Sequence, residues 1–327
     1  MRSTTLFLTT IALACLSLLF SCSKVSAPLA MKSVGIHEVG AYSATCCVEA
    51  TPKDDNVIVK RGICWSRKTE PTICDSVVYN NNKIGSYECR IVGLRPNTKY
   101  HVRAFVMADD AVTYGKEATF TTRAPYRISI LGDSYSTFEG HLTPDTNLSW
   151  YPPTPSDCND VDAVEKTWWH RLIAEKMMRL EVNNSFSGAT ICNMDAGHAT
   201  YSFLSRMDAL GHPDVIVVFG ATNDDWKEAQ IGDYQYDNWT AEDLTAFRPA
   251  MAQLCDYLQK QHPSAYIYFV LNSELGAEIT ESVQVITAHY GIPCVNLHDI
   301  QKQWKHPSTL GMEAIANQVM DAMRELR

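Results

Sequence analysis

Arg127-Ile128-Ser129-Ile130-Leu131-Gly132-Asp133-Ser134-Tyr135-Ser136 is an apolar strand that runs directly into a glycine, an acid and a serine. A hydroxyl delivered at the end of a buried strand is a nucleophile candidate. On the tripeptide alone, Gly-Asp-Ser is equally ordinary turn chemistry closing a strand. The pattern around it separates the two readings.

Downstream of Arg127, apolar strands read at Ile128 to Leu131, Val215 to Phe219, Tyr266 to Leu271 and Ile292 to Leu297, with a weaker one near Leu180 to Asn183. Segments of helical period lie between them. Leu244, Phe247, Met251, Leu254 and Leu258 share one face, as do Met312, Ile315, Val319, Ala322 and Leu326. Pro249 is expected to kink the former or to mark its first turn. Continuous apolar strands separated by amphipathic helices predict an α/β fold, a doubly wound parallel sheet in three layers with both faces covered. In such sheets sites gather beyond the carboxyl ends of the strands.

Three further stretches occupy such places. Asn184-Ser185-Phe186-Ser187-Gly188 follows a short apolar segment, Gly220-Ala221-Thr222-Asn223-Asp224 follows Val215 to Phe219, and His306-Pro307-Ser308 opens the last helix. With Gly132-Asp133-Ser134 they resemble, in order, the four sequence blocks of the SGNH (GDSL-like) hydrolases, and the resemblance runs from Pro125 to the C-terminus. It implies a flavodoxin-like three-layer sheet and a serine esterase with no metal or organic cofactor. Ser134 would be the nucleophile and His306 the base. The backbone N–H groups of Ser134 and Gly188 and the side-chain amide of Asn223 would form the oxyanion site.

The chemistry is consistent with those residue types. Serine at its resting pKa needs a base within hydrogen-bond reach. Glycine lets a backbone amide approach a substrate closely, and asparagine offers a donor without charge. Gly132-Asp133-Ser134-Tyr135-Ser136 lacks the last glycine of a Gly-x-Ser-x-Gly elbow, which argues against an ordinary α/β-hydrolase. One departure stands out. The family usually carries an aspartate three residues before the histidine, and here that position is Gln303. Either the Gln303 side-chain oxygen or a backbone carbonyl would then orient His306, leaving in effect a Ser-His dyad, with Asp299 a poorer substitute.

Substrate recognition falls to the loops. Phe138 to Thr167 is rich in aromatics, prolines and acids, and Asp133, Trp150 and Trp226 are the candidate substrate-binding residues. Aromatic walls suit sugar rings, so the leading expectation is removal of O-acetyl or other short acyl groups from carbohydrate or polysaccharide. Thioesterase or lysophospholipase activity is the nearest alternative. A catalytically weak surface glycan-binding protein is another.

The front of the chain has a different period. From Met31 to Arg123 it alternates as strands do, with Tyr100, Val102, Ala104 and Val106 on one face and Asn80-Asn81-Asn82 and Arg95-Pro96-Asn97 as turns. Leu94-Arg95-Pro96-Asn97-Thr98-Lys99-Tyr100 has the spacing of a tyrosine corner. With Gly62-Ile63-Cys64-Trp65-Ser66, this segment resembles fibronectin type III-like modules of exported bacterial proteins. A small all-β sandwich is therefore expected, serving as a spacer.

The first residues read as an export signal. Met1-Arg2 supplies a cation and Leu6 to Phe20 an apolar run; Leu19-Phe20-Ser21-Cys22 then resembles the bacterial lipobox, whose cysteine carries acyl chains after cleavage. The expected organisation is a lipoprotein signal peptide at 1–21, a tether at 22–30, the sandwich at 31–123 and the hydrolase at 124–327. The expected location is the bacterial cell envelope, with the membrane reached through lipid on Cys22. A net charge of -9 without a lysine or arginine run argues against nucleic acid as a partner. Oligomeric state is not legible. The scattered cysteines show neither zinc-ligand spacing nor a disulfide framework.

Overall fold

The computed structural model describes residues 29–52, 60–81, 85–108, 111–154 and 157–326. They divide into two compact units, the second running from Thr122 to the C-terminus together with Gly40–Tyr42 and Leu94–Asn97. The expected signal segment, Cys22 and the tether before Leu29 lie outside the described residues.

The first unit is built from β1 (Leu29–His37), β2 (Ser43–Pro52), β3 (Lys60–Ser66), β4 (Ser76–Asn80), β5 (Tyr87–Val92), β6 (Lys99–Ala108), β7 (Ala111–Tyr114) and β8 (Ala118–Thr121). One sheet has the order β1-β2-β5 and the other β4-β3-β6-β7, with β8 also on β6, and all pairs are antiparallel. Non-consecutive neighbours in both sheets give the Greek-key sandwich expected of a fibronectin type III-like module. Alternation sets its core. In β5, Tyr87, Cys89 and Ile91 are buried while Glu88, Arg90 and Val92 face out. The Tyr87 hydroxyl donates to the Gly62 carbonyl at 2.9 Å, tying the two sheets together.

The second unit alternates strand and helix: β9 (Arg127–Gly132), α1 (Trp168–Glu175), β10 (Arg179–Ser185), α2 (Phe203–Arg206), β11 (Val215–Gly220), α3 (Thr222–Trp226), α4 (Phe247–Gln261), β12 (Tyr266–Leu271), α5 (Ala277–His289) and β13 (Cys294–Asn296). A hairpin of β14 (Lys302–Gln303) and β15 (His306–Pro307) leads into α6 (Thr309–Ala322). The main sheet is parallel throughout in the order β10-β9-β11-β12-β13. Counted from β9, that is the 2-1-3-4-5 order of flavodoxin-like sheets.

Every residue of β11 is buried, which is why it reads as an unbroken apolar run. Val215, Val217 and Phe219 pack with Trp168, Leu172, Met312 and Ile315 on one face. Ile216 and Val218 pack with Phe203, Met251, Leu254 and Val283 on the other. Burying each such side chain contributes about 1.5–3 kcal/mol. Pro249 falls in the first turn of α4, where its missing N–H costs no intrahelical bond.

The order places the reversal of winding between β9 and β11. Ser134 follows β9 and Asn223 follows β11, so the two candidate blocks flank the crevice that this topology opens.

Candidate active site

Ser134 is delivered by a tight exit from β9. A Cβ on Gly132 would lie 2.6 Å from both Ser136 Cβ and Ser185 Oγ, so only glycine fits the strand end. Asp133 then caps the single 3-10 turn Ser134–Ser136, its Oδ1 accepting the Tyr135 N–H at 2.9 Å. The turn is braced from below. Asn183 Nδ2 donates to the Ser136 carbonyl at 3.0 Å and Trp168 Nε1 to Ser136 Oγ at 3.3 Å.

His306 arrives from the other end of the chain. Its Nε2 is 2.9 Å from Ser134 Oγ and its Nδ1 is 3.0 Å from the Trp304 carbonyl. A ring whose Nδ1–H donates to that carbonyl leaves the Nε2 lone pair to accept the serine proton. The imidazole lies among aromatic rings: Trp150 stacks on it at 3.7 Å and 7°, with Tyr135 at 5.2 Å, Trp226 at 6.0 Å and Tyr151 at 6.2 Å between centroids. Burial pushes its pKa from 6.5 down to about 4, against the opposing pull of the Trp304 carbonyl. At neutral pH the ring is an uncharged base.

Gly188 and Asn223 meet on the other side of the crevice. Gly188 has φ +83°, a conformation that L side chains rarely adopt. Asn223 sits in α3, entered through Ala221 at φ 73°, and its Nδ2 donates to the Ala189 carbonyl at 3.0 Å. Among the described residues, the backbone N–H groups of Ser134 and Gly188 have no protein acceptor. A nucleophile with a neutral base, plus uncommitted N–H donors on adjacent loops, is equipment for acyl transfer.

Residues 126–323 match the family described as GDSL-like lipase/acylhydrolase. This chain belongs to that family. It is a GDSL-like hydrolase acting on carboxylic esters. Among solved structures, a protein from Bacteroides uniformis described as a GDSL-like lipase is 50% identical, with 62% of this chain and 97% of that one covered and a TM-score of 0.60. A Bacteroides ovatus protein of the same description is 53% identical, with 62% and 100% covered and a TM-score of 0.61. No curated protein matches the sequence.

The missing acid of this GDSL-like hydrolase is replaced by backbone. Trp304 and Lys305 are the two central residues between β14 and β15, with φ of 48° and 62°. Positive φ at both positions is the signature of a type I′ turn, and here it aims the Trp304 carbonyl at His306. The Tyr135 hydroxyl holds the same turn through the Lys305 carbonyl at 2.5 Å. Neither residue is glycine or asparagine, so the conformation carries strain of roughly 1–2 kcal/mol per residue. For the same reason nothing in the sequence marked it.

Gln303 is therefore not the orienter. Its Oε1 accepts the Asp160 N–H at 2.9 Å, and Asp160 in turn accepts the Thr309 N–H at 2.7 Å at the start of α6. The antiparallel pairing of Gln303 with His306 is a backbone relation. Asp299 is no substitute, since its carboxylate is exposed and pairs with His298.

Asp133 is a second correction. It is fully buried beneath the serine turn, so it supports the turn and does not face substrate. Burial raises its carboxyl to about 7. Trp150 lies against the imidazole, and Trp226 is 39% exposed beside it, with Lys305 Nζ 5.5 Å over its ring.

Sequence reasoning missed Arg206. This buried guanidinium donates to the carbonyls of Gly132 at 3.3 Å, Tyr201 at 2.9 Å and Asn184, fastening the ends of β9 and β10 where the crevice opens. An arginine in Phe203-Leu204-Ser205-Arg206 carries no local mark of burial.

Among the described residues, one group of side chains has metal-ligand chemistry. His37, Cys47 and Glu88 in the sandwich have donor atoms within 4.8 Å of one another, an arrangement made by strand pairing rather than by sequence spacing.

Proposed function

We propose that this hydrolase removes short acyl groups, O-acetyl foremost, from carbohydrate, with Ser134 and His306 as a catalytic dyad oriented by the Trp304 carbonyl. The observation that carries it is the aligned Ser134 Oγ, His306 Nε2 and Nδ1, and Trp304 oxygen, at 2.9 and 3.0 Å. Ser134 Oγ attacks the ester carbonyl carbon as its proton passes to His306 Nε2. The oxyanion takes the N–H groups of Ser134 and Gly188 and the free amide hydrogen of Asn223. Collapse expels the sugar oxygen, which receives the proton from His306, and leaves an acyl-Ser134. Water then attacks the acyl carbon as its proton passes to His306 Nε2, and collapse releases the carboxylic acid while His306 returns that proton to Ser134 Oγ.

A carbonyl stabilises imidazolium less than a carboxylate does. The stacked Trp150 adds a cation–π contribution of about 1–2 kcal/mol in this dry setting. Support for a sugar comes from exposed indoles near the dyad, Trp226 and the 72% exposed Trp304, which offer flat apolar faces to pyranose rings.

The chain-length profile tests the substrate. Against p-nitrophenyl acetate, butyrate and octanoate, kcat/KM is expected to favour acetate over octanoate by about tenfold or more. A preference for octanoate would move the reading to lysophospholipase chemistry. Release of acetate from an acetylated polysaccharide is the matching positive result.

We further propose that acyl chains on Cys22 hold the enzyme at a bacterial envelope, with the sandwich as spacer. The support is Leu19-Phe20-Ser21-Cys22 after an apolar run. In a fractionated host, Cys22→Ala is expected to leave the membrane fraction. Retention there would sink the proposal.

A further inference from the structure

We propose that Asp195, His198 and Lys227 form a positioning relay that clamps the Gly188 carbonyl and so, by limiting the φ/ψ freedom of this glycine, steadies the N–H donor it offers to the oxyanion. The inference rests on the assignment of Gly188 to the oxyanion site and adds residues to it.

The contacts run in one line. Asp195 Oδ1 accepts the N–H groups of Gly197 and His198 at 2.8 and 2.9 Å, fixing the carboxylate in its turn. Asp195 Oδ2 accepts from His198 Nδ1 at 2.8 Å. His198 Nε2 is then the acceptor for Lys227 Nζ at 2.9 Å, and Lys227 Nζ donates again to the Gly188 carbonyl at 2.7 Å. Lys227 directly follows α3, so one short element supplies both Asn223 and the clamp.

Gly188 needs such a clamp. Glycine at φ +83° is the residue of that loop with the widest backbone freedom, and a donor that must point at a developing charge gains from being fixed beforehand. Its neighbours are already held: the Ser187 N–H donates to the Leu148 carbonyl at 2.8 Å, and Asn223 holds the Ala189 carbonyl. Lys227 supplies the remaining restraint on Gly188 itself. An ammonium-to-carbonyl bond is stronger than a neutral one. A lysine tail is also costly to order, which accounts for the second anchor at His198.

The test is steady-state kinetics of the full chain on p-nitrophenyl acetate, with the rate of fluorophosphonate labelling of Ser134 as a second readout. Lys227→Met keeps the stem and loses the donors. It is expected to lower kcat and the labelling rate together by about tenfold or more with KM within about twofold, because a donor used only in the transition state is degraded. Lys227→Arg restores a donor and is expected to recover most of the loss, while His198→Ala falls between the two. Wild-type kcat in Lys227→Met, a change confined to KM, or arginine performing no better than methionine would overturn the relay. Asn223→Ala, measured alongside, is expected to lose about 10²–10³-fold in kcat. If it does while Lys227→Met is unaffected, the relay fails and the oxyanion assignment stands; if Asn223→Ala is fully active, the assignment fails and the relay with it.

Discussion

Ser134→Ala is expected to lower kcat/KM on p-nitrophenyl acetate by roughly 10⁴-fold or more, about 5 kcal/mol of transition-state stabilisation. In the proposed mechanism the hydroxyl is the acyl acceptor, and among the described residues Ser134 Oγ is the side-chain partner of His306 Nε2, at 2.9 Å. The substitution removes one oxygen from a residue 3% exposed, leaving Asp133 and Tyr135 to hold the turn. The fold should survive, which an unchanged circular dichroism melt would verify. Loss of fluorophosphonate labelling in the same variant fixes the site of acylation. Residual turnover at the wild-type rate would mean that another nucleophile does the chemistry.

His306→Ala is expected to cost nearly as much, and Gln303→Ala to stay within about threefold of wild type, since the Gln303 side chain serves Asp160 and not the imidazole. Equal losses at both positions would reinstate Gln303 as an orienter. The pH profile reads the same base directly. His306 must be unprotonated to accept the serine proton, and burial lowers its pKa to about 4. The acid limb of kcat/KM is therefore expected near pH 4, with a plateau above it. A limb near 6.5 would show an imidazole solvated like a free one. The same shift bears on stability. Between about 4 and 6.5 the unfolded chain binds a proton at this histidine that the native state refuses, so this group makes the fold less stable as pH falls through that window. Melts at each pH separate loss of base from loss of fold.

Much of the molecule was legible before any coordinates. Strands buried on both faces declare themselves as apolar runs, so β9, β11 and β12 were read nearly to the residue, and the 3.6-residue spacing of Met251, Leu254 and Leu258 gave α4 its inward face. The period-two segment at 31–123 announced a sandwich for the same local reason. The candidates Ser134, Gly188, Asn223 and His306 were singled out through block order, a one-dimensional property.

What tertiary structure decided is everything that depends on partners distant in the chain. Ser134 and His306 are 172 positions apart, and only the 2-1-3-4-5 strand order brings a residue after β9 to one that precedes α6. The group orienting His306 is a backbone oxygen, and every residue has one; only the strained turn at Trp304 and Lys305 makes this carbonyl special. Asp133 looked available beside the nucleophile and proved to be buried beneath it, while Arg206 and Lys227, which the sequence reading did not single out, bond the carbonyls of Gly132 and Gly188. Periodicity records which face of an element is apolar, because burial acts on each residue by itself. It does not record which buried or bridging group a polar side chain meets, because that is settled by pairing across the sheet.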